Sequence, residues 1–294
     1  MNPRFNRRAF LKATTVATAA AATGLAVPAA AAASAKEESR RESLIDVNVT
    51  LGRWPFRRLP LDETGALVAK LRKHGVTQAW AASFDALFHK NIAAVNARLA
   101  EECRRHGRGI LVPFGSANPT LPAWEEELRR CHEQHKMPGI RLFPNYHGYK
   151  LEAPVFTRLL AIARERRLIV EVAVGLEDER TQHALARVPH VDLQPLLAHV
   201  QSAPGLRLVV LNWFRSVKPD LVKLLAATGV CFDIATVEGV GGVENLIQQI
   251  SANRVVFGSH APFFYIESAL LKLKEASLDR DGERAVGWDT ARRV

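Results

Sequence analysis

The sequence predicts an α/β fold, a (β/α)8 TIM barrel spanning residues 36–294 as a single domain. Three observations carry this. Short apolar, β-rich runs recur about every 30 residues, the length of one βα unit. The segments between them have helical periodicity. No G-x-G-x-x-G or P-loop follows any run, which removes the main support for a doubly wound nucleotide-binding sheet.

The runs begin near Leu44 (LIDVNVTL), Val76 (VTQAWAASF), Gly109 (GILVPFG), Gly139 (GIRLFP), Leu168 (LIVEVAV), Leu206 (LRLVVL), Gly229 (GVCFDIA) and Arg254 (RVVFG). Several are nearly all apolar, as expected of parallel strands covered by helices. The helix over 61–74 places Leu67, Val68 and Leu71 on one face and stops at Gly75. The next, over 90–106, carries Ile92, Val95, Leu99 and Cys103 and stops at Gly107. Pro122 opens a third, residues 154–166 form a fourth around Phe156, Leu159, Leu160 and Ala163, and Pro219 opens another that Gly229 ends. Proline at a helix start and glycine past its end is the expected asymmetry. Asp178–His183 reads as the acidic first turn of a helix after strand 5, with a polar site loop as the alternative.

The chain has 294 residues, 48% hydrophobic and 24% charged, a globular balance that excludes disordered, collagenous and polytopic membrane classes. Three cysteines without metal-ligand spacing read as buried thiols. The net charge of +10 is concentrated at the start, where residues 1–35 hold Arg4, Arg7, Arg8, Lys12 and no acid. Removing these four leaves 36 basic against 30 acidic side chains, and no basic block argues for nucleic acid. A basic stretch, an Ala/Thr-rich stretch over 13–33 and the cleavage-type Ala33-Ser34-Ala35 form a secretory layout, with a permanent membrane anchor as the alternative. Asn6-Arg7-Arg8-Ala9-Phe10-Leu11-Lys12 resembles the twin-arginine motif. It implies the twin-arginine export machinery as a partner and the periplasm or cell envelope as destination.

In such a barrel the site lies at the C-terminal strand ends. Polar residues collect there, among them Asp46, Asn48, Ser116, Asn145, Glu177, Asn212, Asp233, Ser259 and His260. Period-two alternation places Asp46 and Asn48 on one face of strand 1. Arg141 and Glu171 lie within strand runs, where a polar side chain is costly without a partner. The structural alternative is a polar network, with Arg141 paired to Asp46 or Glu171. His74, His106, His132, His135 and His190 fall on helices or loops and read as solvated.

From about Ile45 onward the chain resembles the amidohydrolase-related family of the amidohydrolase-2 type, metal-dependent barrel hydrolases and decarboxylases. The marks are Ile45-Asp46-Val47-Asn48-Val49 with Leu51-Gly52, Gly139-Ile140-Arg141-Leu142, Phe257-Gly258-Ser259-His260-Ala261-Pro262 and Thr290-Ala291-Arg292-Arg293-Val294. The usual metal ligands are replaced. The first-strand His-x-His reads Asp46 and Asn48, the strand 5 His falls near Ala173, the strand 6 His at Asn212 and the strand 8 Asp at His260. Asp46, Glu171 and His260 are the set that could hold one divalent ion, zinc or manganese.

The resemblance also admits a metal-free site, as implied by the pyrone-dicarboxylate lactonases. Asp46 then orients His260 as general base, and Asn48 and Asn212 stabilise an oxyanion. Arg53, Trp54, Arg141 and Asn145 are the expected substrate contacts, arginine being suited to clamp a carboxylate. The expectation is therefore an exported hydrolase, with a lyase as variant, acting on a small carboxylated substrate. An oligomer is compatible with the sequence. The competing expectation is a degenerate barrel that binds a ligand or partner without turnover.

Overall fold

The structure, a computed structural model, describes residues 43–294. The expected signal segment lies outside these residues. Eight parallel strands follow one another round a single sheet in chain order: β1 (Leu44–Leu51), β2 (Val76–Ser83), β3 (Leu111–Gly115), β4 (Gly139–Leu142), β5 (Ile169–Ala173), β6 (Arg207–Leu211), β7 (Cys231–Asp233) and β8 (Val255–Val256). Between and after them run α1 (Thr64–Lys73), α2 (Ile92–His106), α3 (Trp124–Glu133), α4 (Pro154–Glu165), α5 (Leu196–Ser202), α6 (Pro219–Ala227), α7 (Gly242–Ile250) and α8 (Ile266–Glu275). The ring closes where Val47 N donates to Phe257 O at 3.0 Å and Thr50 N to Ala261 O at 2.9 Å. This is the predicted (β/α)8 barrel. Among the described residues no helix is long and apolar enough to cross a membrane.

Local sequence explains most boundaries. Pro154 and Pro219 occupy the first turn of α4 and α6, where the missing N–H costs nothing. Asn91 caps α2 by accepting from Ala94 N at 3.0 Å. The third helix starts at Trp124, because Ala123 is left-handed with φ 59°. No helix begins at Asp178. The Asp178 side chain accepts from Arg180 N at 2.9 Å, closing an Asx turn, and only a 3₁₀ turn follows at Ala184–Ala186.

The apolar residues divide into two layers. One faces the helices and includes Val49, Leu51, Ile140, Leu142, Val170 and Phe257. The other fills the barrel with Ile45, Val47, Trp80, Phe114, Val209 and Cys231, and the C-terminal Trp288, Ala291 and Val294 pack against it. Gly139 makes room in this layer, since a Cβ there would meet the Phe114 ring at 2.4 Å. Strand 1 appears in both layers because its pairing with β2 slips between Asp46 and Val49. The extra residue reverses the alternation, as a bulge does. Ile45 and Val47 therefore face inward, while Val49 and Leu51 face the helices. Asp46 turns to the seam beside β8 instead of sharing a face with Asn48.

Candidate functional site

Arg141 spans the barrel interior from β4. Its Nε donates to Glu171 Oε2 at 2.7 Å, Nη1 to Val49 O at 3.0 Å and Nη2 to Val47 O at 2.9 Å and Trp80 O at 3.3 Å. The guanidinium thus supplies donors to carbonyls on both sides of the β1 slip, including that of Val47, which has no register partner in β2. At 2% exposure it has no donor left for a substrate. The expected substrate contact is instead an internal tie between β1, β2, β4 and β5.

Above this tie lies a polar cluster drawn from the ends of β1, β6, β7 and β8. Asn48 Nδ2 donates to Asn212 Oδ1 and to Asp233 Oδ2, each at 2.8 Å. Asn212 N donates to Asp233 Oδ1 at 2.9 Å, and Asn212 Nδ2 donates to Gly175 O at 2.9 Å. Asp46 Oδ1 accepts from Asn48 N at 3.0 Å and Ser259 N at 2.9 Å, while its buried Oδ2 has no partner. Burial pushes Asp46 and Asp233 each up to about 6, against the pull of these hydrogen bonds. Burial also drives Glu171 up, opposed by Arg141, to about 7.

His260 is 1% exposed. Its Nε2 lies 2.7 Å from Leu176 O, so Nε2 carries the proton and donates. Nδ1 then faces Asn212 Nδ2 at 3.5 Å. Burial lowers the ring to about 4, leaving it neutral near pH 7. The expected Asp46–His260 pair is not formed. Asp46 is held by Ser259 and Asn48, and His260 by Leu176 and Asn212.

Aromatic side chains close the barrel over this cluster. Trp54 packs edge-on against Phe56, Phe84 and Phe263 at centroid distances of 5.4, 5.3 and 5.1 Å. Phe263 lies 5.1 Å from the His260 ring. Trp54, expected at the substrate, is buried in this packing. Arg53 is exposed and pairs with Glu63 at 2.5 Å. Asn145 holds loop backbone, donating to Pro189 O at 3.0 Å and to Val174 O at 3.4 Å.

The open space lies to one side, above the ends of β5, β6 and β7. It is a cavity of about 860 Å³ lined by Gly175, Asn212, Ala235, Thr236, Phe264 and Ser268 together with a charged rim. Asn212 and Glu177, both expected among the polar strand-end residues, line it. On the rim, Asp178 pairs with Arg180 at 2.6 Å and with Arg215 at 2.9 Å, and Arg215 pairs with Glu238 at 2.6 Å. The hydrogen bonds from Arg180 hold the Asp178 carboxyl well below its usual range. Glu177 pairs with Arg57, and Glu179 Oε1 lies 3.2 Å from His190 Nδ1.

Lys272 is different. Reaching in from α8, its Nζ donates to Ala235 O at 2.5 Å and lies 3.5 Å from Ile234 O. Among the described residues no carboxylate stands within ion-pair distance of it. Burial pulls its pKa down. Lys272 is not among the residues singled out from the sequence, and His190, expected to be solvated, lies in the cavity wall. For Lys272 a signal existed, because it follows the buried Ile266 and Ala269 at helical spacing. For His190, between Pro189 and Val191 in an irregular loop, none did.

A family model described as amidohydrolase matches residues 52–294. No curated protein matches the chain. Among solved structures, 5-carboxyvanillate decarboxylase from Sphingomonas paucimobilis superposes with a TM-score of 0.68 at 13% identity, covering 85% of this chain and 98% of that one. 5-carboxyvanillate decarboxylase from Novosphingobium aromaticivorans, solved with bound manganese, gives 0.66 at 12% identity, with 85% and 96% coverage. 2,6-dihydroxybenzoate decarboxylase from Rhizobium gives 0.61 at 13% identity, with 85% and 97%. At these identities the likeness shows the fold.

The donor set here does not fit a divalent cation. Such an ion needs three or more donors around one point. Among the described residues no group of three His, Cys, Asp or Glu is arranged to hold one. Of the expected set, Glu171 is committed to Arg141, Asp46 sits at the β8 seam, and His260 spends its Nε2 proton on a backbone carbonyl. Asn48 and Asn212 bond to each other.

Proposed function

The chain belongs to the amidohydrolase family, of the amidohydrolase-2 type, and we propose that it is an exported hydrolase of small carboxylated compounds. The compound occupies the cavity above β5–β7, with its carboxylate at Lys272. The observation that carries this reading is the cavity's one cation without a carboxylate partner among the described residues. A partly buried ammonium favours an anion, and the cavity volume suits a small molecule. The decarboxylases of similar fold act on carboxylated aromatic rings, which supports the substrate class and keeps decarboxylation as the competing reaction. Product analysis separates the two, since only decarboxylation releases carbon dioxide.

In calorimetry, benzoate is expected to bind and its uncharged analogue benzamide to bind far more weakly. Lys272→Met keeps most of the side-chain volume and should weaken benzoate at least about tenfold, the scale of one charge-assisted hydrogen bond. Equal affinity for benzoate and benzamide, or an unaffected variant, would refute the reading.

A barrel that binds without turnover is the second reading. It is favoured by the central cluster, whose polar groups largely satisfy one another out of reach of solvent. Benzoate-competitive binding with no product from any carboxylated ester or amide would select it.

The export part rests on Arg7 and Arg8. Replacing both with lysine should leave the chain in the cytoplasm, as followed by cell fractionation. Unchanged export of the double variant would remove the twin-arginine assignment.

A further inference from the structure

We propose that His190, supported by Glu179 and seated on Gly175, is the general base of this cavity. The inference rests on the cavity being the substrate site.

Three features fix the ring. First, its backbone is pinned on both sides. Asn145 donates to Pro189 O at 3.0 Å, and Val191 N donates to Val174 O at 3.0 Å. Second, the imidazole lies directly on Gly175. A Cβ at that position would stand 2.5 Å from His190 Cδ2 and 2.7 Å from Nε2. Only glycine leaves that seat open. Third, Nδ1 faces Glu179 Oε1 at 3.2 Å. With the proton on Nδ1, on the side of that carboxylate, the lone pair lies on Nε2. Nε2 has no hydrogen-bond partner among the described residues, and the ring forms part of the cavity wall.

The carboxylate–imidazole arrangement expected of Asp46 and His260 is therefore present elsewhere, on the open side of β5. In hydrolysis of an ester, Nε2 takes a proton from water as the water oxygen bonds to the carbonyl carbon. When the tetrahedral adduct collapses, the C–O bond to the alcohol breaks and the imidazolium returns the proton to the leaving oxygen. Glu179, beside Nδ1, keeps the ring oriented during the step.

Two measurements test this. The first uses diethyl pyrocarbonate on the intact protein, with the modified histidine identified by mass spectrometry. His190 should react readily, and benzoate should slow that reaction. The second uses mono-4-nitrophenyl succinate as a small carboxylated ester. His190→Gln should lower kcat by roughly a hundredfold and remove the ascending limb of the pH profile. Its benzoate affinity should stay near that of the wild type. Glu179→Gln should lower kcat by about tenfold, and Gly175→Ala should fall in the same direction by displacing the ring.

The proposal is overturned if benzoate gives His190 no protection, if His190→Gln keeps the wild-type pH profile and kcat, or if the wild type does not hydrolyse the ester. Loss of benzoate binding in Lys272→Met with an unaffected His190→Gln would spare the cavity reading and sink this one. No benzoate binding by the wild type would sink the cavity reading itself.

Discussion

Arg141→Met is expected to cost about 3–5 kcal/mol of unfolding free energy, the scale of breaking one partner out of a buried ion pair. That is a large share of the stability of an ordinary domain. The physical reason is the bulge in β1. It leaves Val47 without a register partner in β2, and the Arg141 guanidinium donates from inside the barrel to Val47 O and to Val49 O on the far side of the slip. Methionine fills the volume but takes the guanidinium donors from these carbonyls and leaves the buried Glu171 carboxyl without its ion-pair and hydrogen-bond partner. The double variant Arg141→Met, Glu171→Leu should recover part of the loss, because the stranded carboxylate goes with it. Denaturant unfolding of the three proteins measures this. A single variant within about 1 kcal/mol of the wild type would contradict the assigned role.

The second large effect is a pH dependence that reports the central cluster. Asp46 has a folded-state pKa of about 6 against an ordinary value of 3.8. A carboxyl raised in this way holds its proton longer when folded. Its contribution is fully present below the unfolded value and is lost as the pH rises through about 6. His260 has the opposite sense, at about 4 against 6.5. Its neutral burial costs nothing above 6.5 and costs progressively more as the pH falls towards 4. The two groups partly cancel in the wild type, so substitutions are needed to expose them.

Asparagine at position 46 keeps an oxygen for Ser259 N and Asn48 N and removes the buried charge. Relative to wild type, Asp46→Asn should gain about 2 kcal/mol between roughly pH 4.5 and pH 7.5. His260→Gln should show the reverse, gaining relative stability as the pH drops below about 6.5. Unfolding curves across this range give both differences directly. A pH-independent difference for either variant would show that its side chain is not buried as described.

The barrel was legible because its signals are local and repeated. Each apolar run stands on its own neighbours, eight of them agree, and the Pro and Gly signals mark helix ends between them. The site was less legible because it depends on departures from that regularity. Asp46 and Asn48 look alike in an alternating strand, and only the slip against β2 separates them. Arg141 and Glu171 were recognisable as costly inside strands, but whether they faced a substrate or one another depended on how the barrel closed. Trp54 reads equally as a binding wall or as packing until Phe56, Phe84 and Phe263 are seen around it. Asp178 carried the pattern of a helix start, yet its side chain closed a turn and then joined the Arg180 and Arg215 charges. Lys272 and His190 come from elements whose contact with the cavity arises only from tertiary structure.

The position of the substrate carboxylate is the central claim, and a crystal structure of the protein with benzoate tests it most directly. The account predicts the carboxylate oxygens within hydrogen-bond distance of Lys272 Nζ, with the ring in the space between Asn212 and Phe264. Benzoate bound on the barrel axis against Arg141 or His260, beneath displaced aromatic side chains, would contradict it.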